Sequence, residues 1–393
     1  MSGAEAIVGA ELRAADRVIA DVAEQFDFLL GMTPTNHDEA WKEFCTTAGR
    51  VTPTLRYRAL TIDPAAARRR LQDVSLDHVE STLCRLLADK RRELLLQITL
   101  LESRDTPQAL EHSLEMYGPV ADSLLAEAER ILAVISVAER PLDNRTRADA
   151  MMLEARARAE LAYYRETYPD LVADVCVRGD ITALTVSNGT LMVPGSLEID
   201  ENRIDALLAH EVGTHIVTYV NGSTQPLRVL SIGLAGYEAL QEGLAVVAEH
   251  IVGGFDMNRL RILAARVVAC RRIAEGGTLP ALVAELVDKH RFTQKTAFGV
   301  AVRVFRGGGL TKDAIYLRGL LDVLTYLHEE RDLAPLLVGK VAFEHAHIIA
   351  ALLESHILRA PVLMPRWLSD DVHAARLANV RKGVHPLELI GPS

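Results

Sequence analysis

The 393-residue chain is poor in several things that would point to whole classes of protein. It has only four cysteines, Cys45, Cys84, Cys176 and Cys270, far apart and without a Cys-x-x-Cys pair. Neither a disulfide framework nor a thiolate zinc site is indicated, and the thiols are expected to be reduced and buried. No stretch reaches the roughly 18 uninterrupted apolar residues needed to cross a bilayer, and charges come too early in MSGAEAIVGAELRAADRV for a signal-peptide core. A cytoplasmic protein without a membrane partner is expected. Positive charge is also in deficit, with 43 Lys+Arg against 53 Asp+Glu and a formal net charge of −10. Broad electrostatic capture of nucleic acid or anionic lipid needs the opposite balance.

The chain does have apolar material, 49% of its residues, enough for one or two globular cores. From residue 10 to about 165 apolar positions recur at spacings of three and four, as in Leu83–Leu101 and Leu110–Val137, which predicts helices. Gly31–Thr54 interrupts this pattern with MTPTN and RVTPT and reads as a loop. After Pro169 the run DVCVRGDITALTVSNGTLMVP alternates and is rich in β-branched residues. Its Asn188-Gly189 pair suits a type I′ hairpin turn, so a small antiparallel sheet is expected. A helix capped by Asp200 follows over IDALLAHEVGTHIVTYV, then a second over LAGYEALQEGLAVVAEHIV. The rest is mostly helical, broken at Gly276-Gly277 and Gly307–Gly309. The expected fold is mainly α with a small antiparallel sheet, an α+β class. It divides into an N-terminal helical region, 1–165, and a second region, 166–393, with the sheet and C-terminal helices.

The most informative string is His210-Glu211-Val212-Gly213-Thr214-His215. In the zinc-peptidase pattern H-E-x-x-H, two histidines four apart meet one metal on one helical face, and the glutamate activates water. Here the histidines are five apart, which turns the second by roughly 140° on a regular helix. A single-turn π-bulge absorbs the extra residue, and Gly213 lowers the resistance to one. A third ligand is expected from the next helix, which offers Glu238, Glu242 and Glu249. Glu242, 27 residues after His215 and flanked by small residues, ranks first, then Glu238; Glu249 suits orienting a ligand histidine from behind. His and carboxylate donors suit several divalent ions.

The strings HEVGTH and QEGLA, with FDFLLGMTPTN upstream and LTKDAIYLRGL downstream, resemble the bacterial QEGLA-motif family. That family is similar to the microtubule-associated tyrosine carboxypeptidases, zinc metallopeptidases with an HExxxH motif. The resemblance spans about residues 20–360 and implies His210, His215 and Glu242 as ligands of Zn2+, with Glu211 as general base, and makes 166–393 a zincin-like catalytic region with C-terminal helices. It also implies a metallocarboxypeptidase acting on the C-terminus of a peptide or protein, tyrosine or another bulky residue being the one removed. Such a reaction needs a cation for the free carboxylate and a donor for the oxyanion. VRVFRGGGLTKDAIYLRGL supplies Arg303, Arg306 and Lys312 for the first role and Tyr316 for the second. Two other readings compete: a zinc amidohydrolase indifferent to a free carboxy terminus, and a silent regulatory or binding protein. Glu211 argues against the second, because a structural zinc site needs no general base.

Overall fold

A computed structural model describes residues 8–76, 82–135, 146–181 and 183–390. Its N-terminal region consists of helices α1 (Ala10–Ala23), α2 (His37–Thr46), α3 (Pro64–Gln72), α4 (Thr82–Glu102), α5 (Gln108–Tyr117) and α6 (Asp122–Val134). Local chemistry starts one of them. Asp63 Oδ1 accepts from the backbone N–H groups of Ala65 and Ala66 ahead of α3, with Pro64 in the first turn. Helix α2 lies inside Gly31–Thr54, where the proline pattern reads as loop. Pro34 and Pro53 flank this helix rather than break it, and its ten residues are too few for a clear periodic signal. Trp41 and Phe44 bind it to Phe298, with ring centroids 5.1 and 5.0 Å apart. The last residues of the Leu110–Val137 stretch lie outside the described ones.

Next come β1 (Arg147–Asp149), α7 (Ala150–Thr167), β2 (Asp174–Arg178), β3 (Thr185–Ser187), β4 (Thr190–Pro194) and β5 (Glu198–Asp200). β1 and β5 pair antiparallel, Arg147 opposite Asp200. β3 and β4 form the expected hairpin, and Asn188 (φ 47°) and Gly189 (φ 76°) both have the positive φ that a type I′ turn requires. β2 adds to β4 in parallel, so the hairpin becomes a three-stranded sheet in the order β2-β4-β3, separate from the β1–β5 pair. The fold class is as expected, mostly helical with a small sheet.

The motif helix begins differently from the sequence reading. Asp200 ends β5 and makes no capping hydrogen bond; a 3-10 turn, Glu201–Arg203, precedes α8 (Ile204–His210). A π-helical turn, Glu211–Ile216, leads into α9 (Val217–Ser223). Helices α10 (Tyr237–Ile251), α11 (Met257–Ala274), α12 (Leu279–Asp288), α13 (Gln294–Phe305) and α14 (Ile315–His328) follow, with breaks at both glycine clusters. Among the described residues the cysteines form no disulfide; Cys84 and Cys270 are buried as expected, but Cys45 is exposed and Cys176 partly so. Among the described residues no helix is long and apolar enough to cross a membrane.

Two apolar cores result. One joins N-terminal helices to α10–α14, through residues such as Ile19, Leu87, Leu244 and Leu320. The other is made by α7, the sheet and the motif helix, through Leu153, Val193, Leu208, Val212 and Ile216. Against the first core, α10 and α14 approach so closely that a Cβ on Gly243 would stand 2.2 Å from the Gly319 carbonyl oxygen. Glycines at this crossing let two backbones touch, and the contact brings Glu242 up to the segment that carries Lys312 and Tyr316.

Candidate metal centre

The π-helical turn places the histidines on one side of the helix despite their spacing, with ring centroids 5.0 Å apart and planes at 81°. Potential donor atoms of His210, Glu211 and His215 all lie within 4.8 Å of one another. Widening a helix frees a carbonyl, and Thr214 Oγ1 donates to the Ala209 carbonyl at 3.0 Å. Gly213 matters for proximity rather than for backbone freedom: a Cβ there would meet Trp367 Cδ1 at 3.3 Å.

α10 supplies the facing carboxylates. Glu242 Oε2 is buried and accepts no hydrogen bond among the described residues. The Nε2 atoms of His210 and His215 stand 3.5 and 3.9 Å from it. Its other oxygen is 3.3 Å from Lys312 Nζ, which also lies 3.4 Å from Glu238 Oε1. Two histidine nitrogens converging on an unsatisfied buried carboxylate oxygen form a donor set that fits a divalent cation.

The outer groups fix both imidazoles. His210 Nδ1 is 2.9 Å from Glu249 Oε1, and that buried carboxylate also accepts from Arg203 at 3.0 Å and Arg259 at 2.8 Å. A proton on Nδ1 shared with Glu249 leaves Nε2 turned to the site. His215 Nδ1 is 3.5 Å from Gln241 Oε1, which accepts from Thr218 Oγ1 at 2.7 Å. Arg203, Arg259, Gln241 and Thr218 escaped the sequence reading. Only Gln241, beside Glu242 in QEGLA, carried a signal that could have found it.

The electrostatics favour positive charge at this point. Burial works against a charged His210, but the neighbouring carboxylates of Glu242 and Glu249 outweigh it and raise the ring to about 10. Burial first, and then the charges of His210 and Lys340, take His215 down to about 3, so it stays neutral with a lone pair to offer. Burial would also raise Glu242, yet Lys312 and His210 hold it well below the ordinary carboxylate range. Glu211 goes the other way, lifted to about 7 chiefly by burial.

These groups line a cavity of about 190 Å³. Its far wall carries Arg303, Arg306, Lys312 and Tyr316, and residues from the N-terminal region close it, Leu29, Thr33 and Arg58 among them. The three cations differ in their commitments. Lys312 is held between two glutamates, as above. Arg303 Nη2 donates to buried Asp313 at 3.1 Å, and Arg266 Nε lies 3.5 Å from the same carboxylate. Arg306, almost fully buried, reaches Thr33 Oγ1 at 3.3 Å, and its Nε has no partner among the described residues. Tyr316, also buried, has the Arg266 guanidinium 4.9 Å and Lys312 Nζ 5.2 Å from its ring centroid. On the opposite side the outer edge of β3 contributes Thr185 and Val186.

No curated protein matches the chain. A family model described as microtubule-associated tyrosine carboxypeptidase matches residues 42–383. With a match over most of its length, the chain belongs to the microtubule-associated tyrosine carboxypeptidase family.

Proposed function

We propose that the protein is a zinc-dependent carboxypeptidase that removes the C-terminal residue of a peptide or protein. The observation that carries this reading is the convergence of His210 Nε2, His215 Nε2 and the unsatisfied Glu242 oxygen beside Glu211, in a cavity with unneutralised arginine on its other wall. His210, His215 and Glu242 would hold the ion. When bound, zinc supplies Lewis acidity that polarises the scissile carbonyl and makes water a better nucleophile near neutral pH. Glu211 takes the proton of the attacking water and passes it to the departing amine, a task suited to a carboxyl lifted toward neutrality. Tyr316 donates a hydrogen bond from its hydroxyl to the developing oxyanion.

Selection for a free carboxy terminus falls to Arg303 and Arg306. Three guanidiniums, Arg266, Arg303 and Arg306, surround the single carboxylate of Asp313, leaving buried positive charge uncompensated. Such an excess is costly until an anion enters, and the substrate's terminal carboxylate is the anion a carboxypeptidase brings. Lys312 contributes less to this contact, since Glu238 and Glu242 already neutralise it. The outer edge of β3 offers main-chain hydrogen bonds to the extended segment preceding the scissile bond.

The test pairs zinc-loaded protein with peptides ending in tyrosine, each made as the free acid and as the amide. The acid should be cleaved and the amide spared, and Glu211→Gln should abolish cleavage while retaining zinc. An active Glu211→Gln protein overturns the mechanism; equal cleavage of acid and amide replaces the carboxypeptidase with an amidohydrolase indifferent to the terminus.

A further inference from the structure

A π-helical turn is a rare conformation with poor hydrogen-bond geometry, and a helix containing one relaxes to regular α form by slipping a single residue. That slip would rotate His215 about 100° relative to His210. Thr214 offsets the cost at one carbonyl, but something must also prevent the slip. The chain provides it from far along the sequence. Leu363 and the side chain of Asn221, on α9 just past the turn, exchange two hydrogen bonds, Asn221 Nδ2 to the Leu363 carbonyl and Leu363 N–H to Asn221 Oδ1, both 2.9 Å. Asn221 Nδ2 also reaches the Leu337 carbonyl at 2.8 Å. A slipped α9 would break all three.

A few residues on, the Arg366 N–H donates to the Tyr164 hydroxyl at 2.8 Å, and the Arg366 side chain reaches Glu160 at 3.1 Å. These contacts seat Trp367, 2% exposed, against the turn itself. The space a Cβ on residue 213 would take is bounded by Trp367 Cδ1 at 3.3 Å and the Tyr164 hydroxyl at 3.6 Å. Any other residue of the motif rotated to this place would meet the indole. The Trp367 Nε1 proton finds no acceptor among the described residues, so the ring serves here by its shape.

We infer that the strap Leu363–Trp367 is a positioning element of the metal site: it fixes α9 through Asn221 and fills the space beside Gly213, holding the π-turn in its ion-binding register before any ion arrives. The inference rests on the zinc reading above, and its test keeps the two apart. Zinc affinity is measured by competition with a chelator for the wild-type protein, Trp367→Ala, Trp367→Phe, Gly213→Ala and Leu87→Ala, the last removing an equally buried side chain from α4, which contributes nothing to the core that packs on the motif helix. Amide hydrogen exchange over residues 211–216 is measured on the same proteins without metal.

Trp367→Ala is expected to bind zinc about 10- to 100-fold more weakly and to exchange faster across the turn, as loss of outer support does at other metal sites. Trp367→Phe should restore most of the affinity. Gly213→Ala, which pushes on the indole from the other side, should reproduce a smaller loss even where Trp367→Ala fails to fold. Leu87→Ala should lower the melting temperature without changing either readout. Unchanged affinity and exchange in Trp367→Ala, or an equal loss in Leu87→Ala, overturns the inference. Wild-type protein that takes up no zinc overturns the metal reading instead, and the exchange measurement still decides whether the strap holds the turn.

Discussion

Gly243→Ala should destabilise the protein although alanine is the better helix former. In an exposed helix this exchange gains up to about 1 kcal/mol. At position 243 the new methyl would stand 2.2 Å from the Gly319 carbonyl oxygen and 2.4 Å from its carbon, against at least 3.4 Å for ordinary contact, so α10 and α14 must part by about 1.2 Å. Overpacking costs about 1–3 kcal/mol where side chains can yield. Here the obstacle is backbone, which places the cost near the upper end and the net loss at about 2 kcal/mol. Gly299→Ala is the control: it lies within α13, and a Cβ there meets nothing within 4 Å. It should gain what propensity allows, up to about 1 kcal/mol. Urea denaturation of the two variants beside wild type should therefore move the midpoints in opposite directions. A Gly243→Ala protein as stable as wild type, or more so, would refute the argument from helix contact.

Three further outcomes follow from the geometry. Glu249→Gln leaves Arg203 and Arg259 without their shared buried carboxylate, so chemical denaturation should show a loss of about 3 kcal/mol or more; a loss under about 1 would mean the cluster is not a unit. Buried Lys340 has its ammonium taken down to about 8 from 10.5, by burial first and by nearby Lys90 second, so the folded state disfavours its charge. That penalty is full below pH 8 and fades toward pH 10.5; Lys340→Met should therefore stabilise by up to about 3 kcal/mol at pH 7 and under about 1 at pH 10. A pH-independent effect would exclude the titration of Lys340 as its cause. Arg306→Met should reduce kcat/KM on peptide acids by about 10- to 100-fold, the worth of a charged hydrogen bond, leaving zinc content and any slow amide cleavage unchanged.

Local signals in the sequence were the reliable ones. The Asn188-Gly189 turn, the breaks at Gly276 and Gly307–Gly309, and the need for a π-turn between His210 and His215 follow from rules that act within a few residues. Where the reading missed, it missed partners chosen across the fold. The parallel pairing of β2 with β4 depends on β3 lying on the far side of β4, so that the chain comes back to β2 running the same way, which no alternation pattern encodes. Arg203 and Arg259 look like ordinary surface residues until Glu249 is found between them. Lys312 reads as a free cation in LTKDAIYL, and only the crossing of α10 and α14 commits it to Glu238 and Glu242. Gly213 was noticed as permissive backbone, but its neighbour Trp367 lies more than 150 residues away.

The two apolar cores give the site a mechanical position as well as a chemical one. His210 and His215 ride on the helix that anchors one core, while Glu242 belongs to a helix of the other. An ion shared by the three would tie the two cores together along the seam at which these side chains meet. Its removal would then loosen that seam rather than empty a rigid cup, and unfolding that is a single event with the ion in place would separate into two, one for each core.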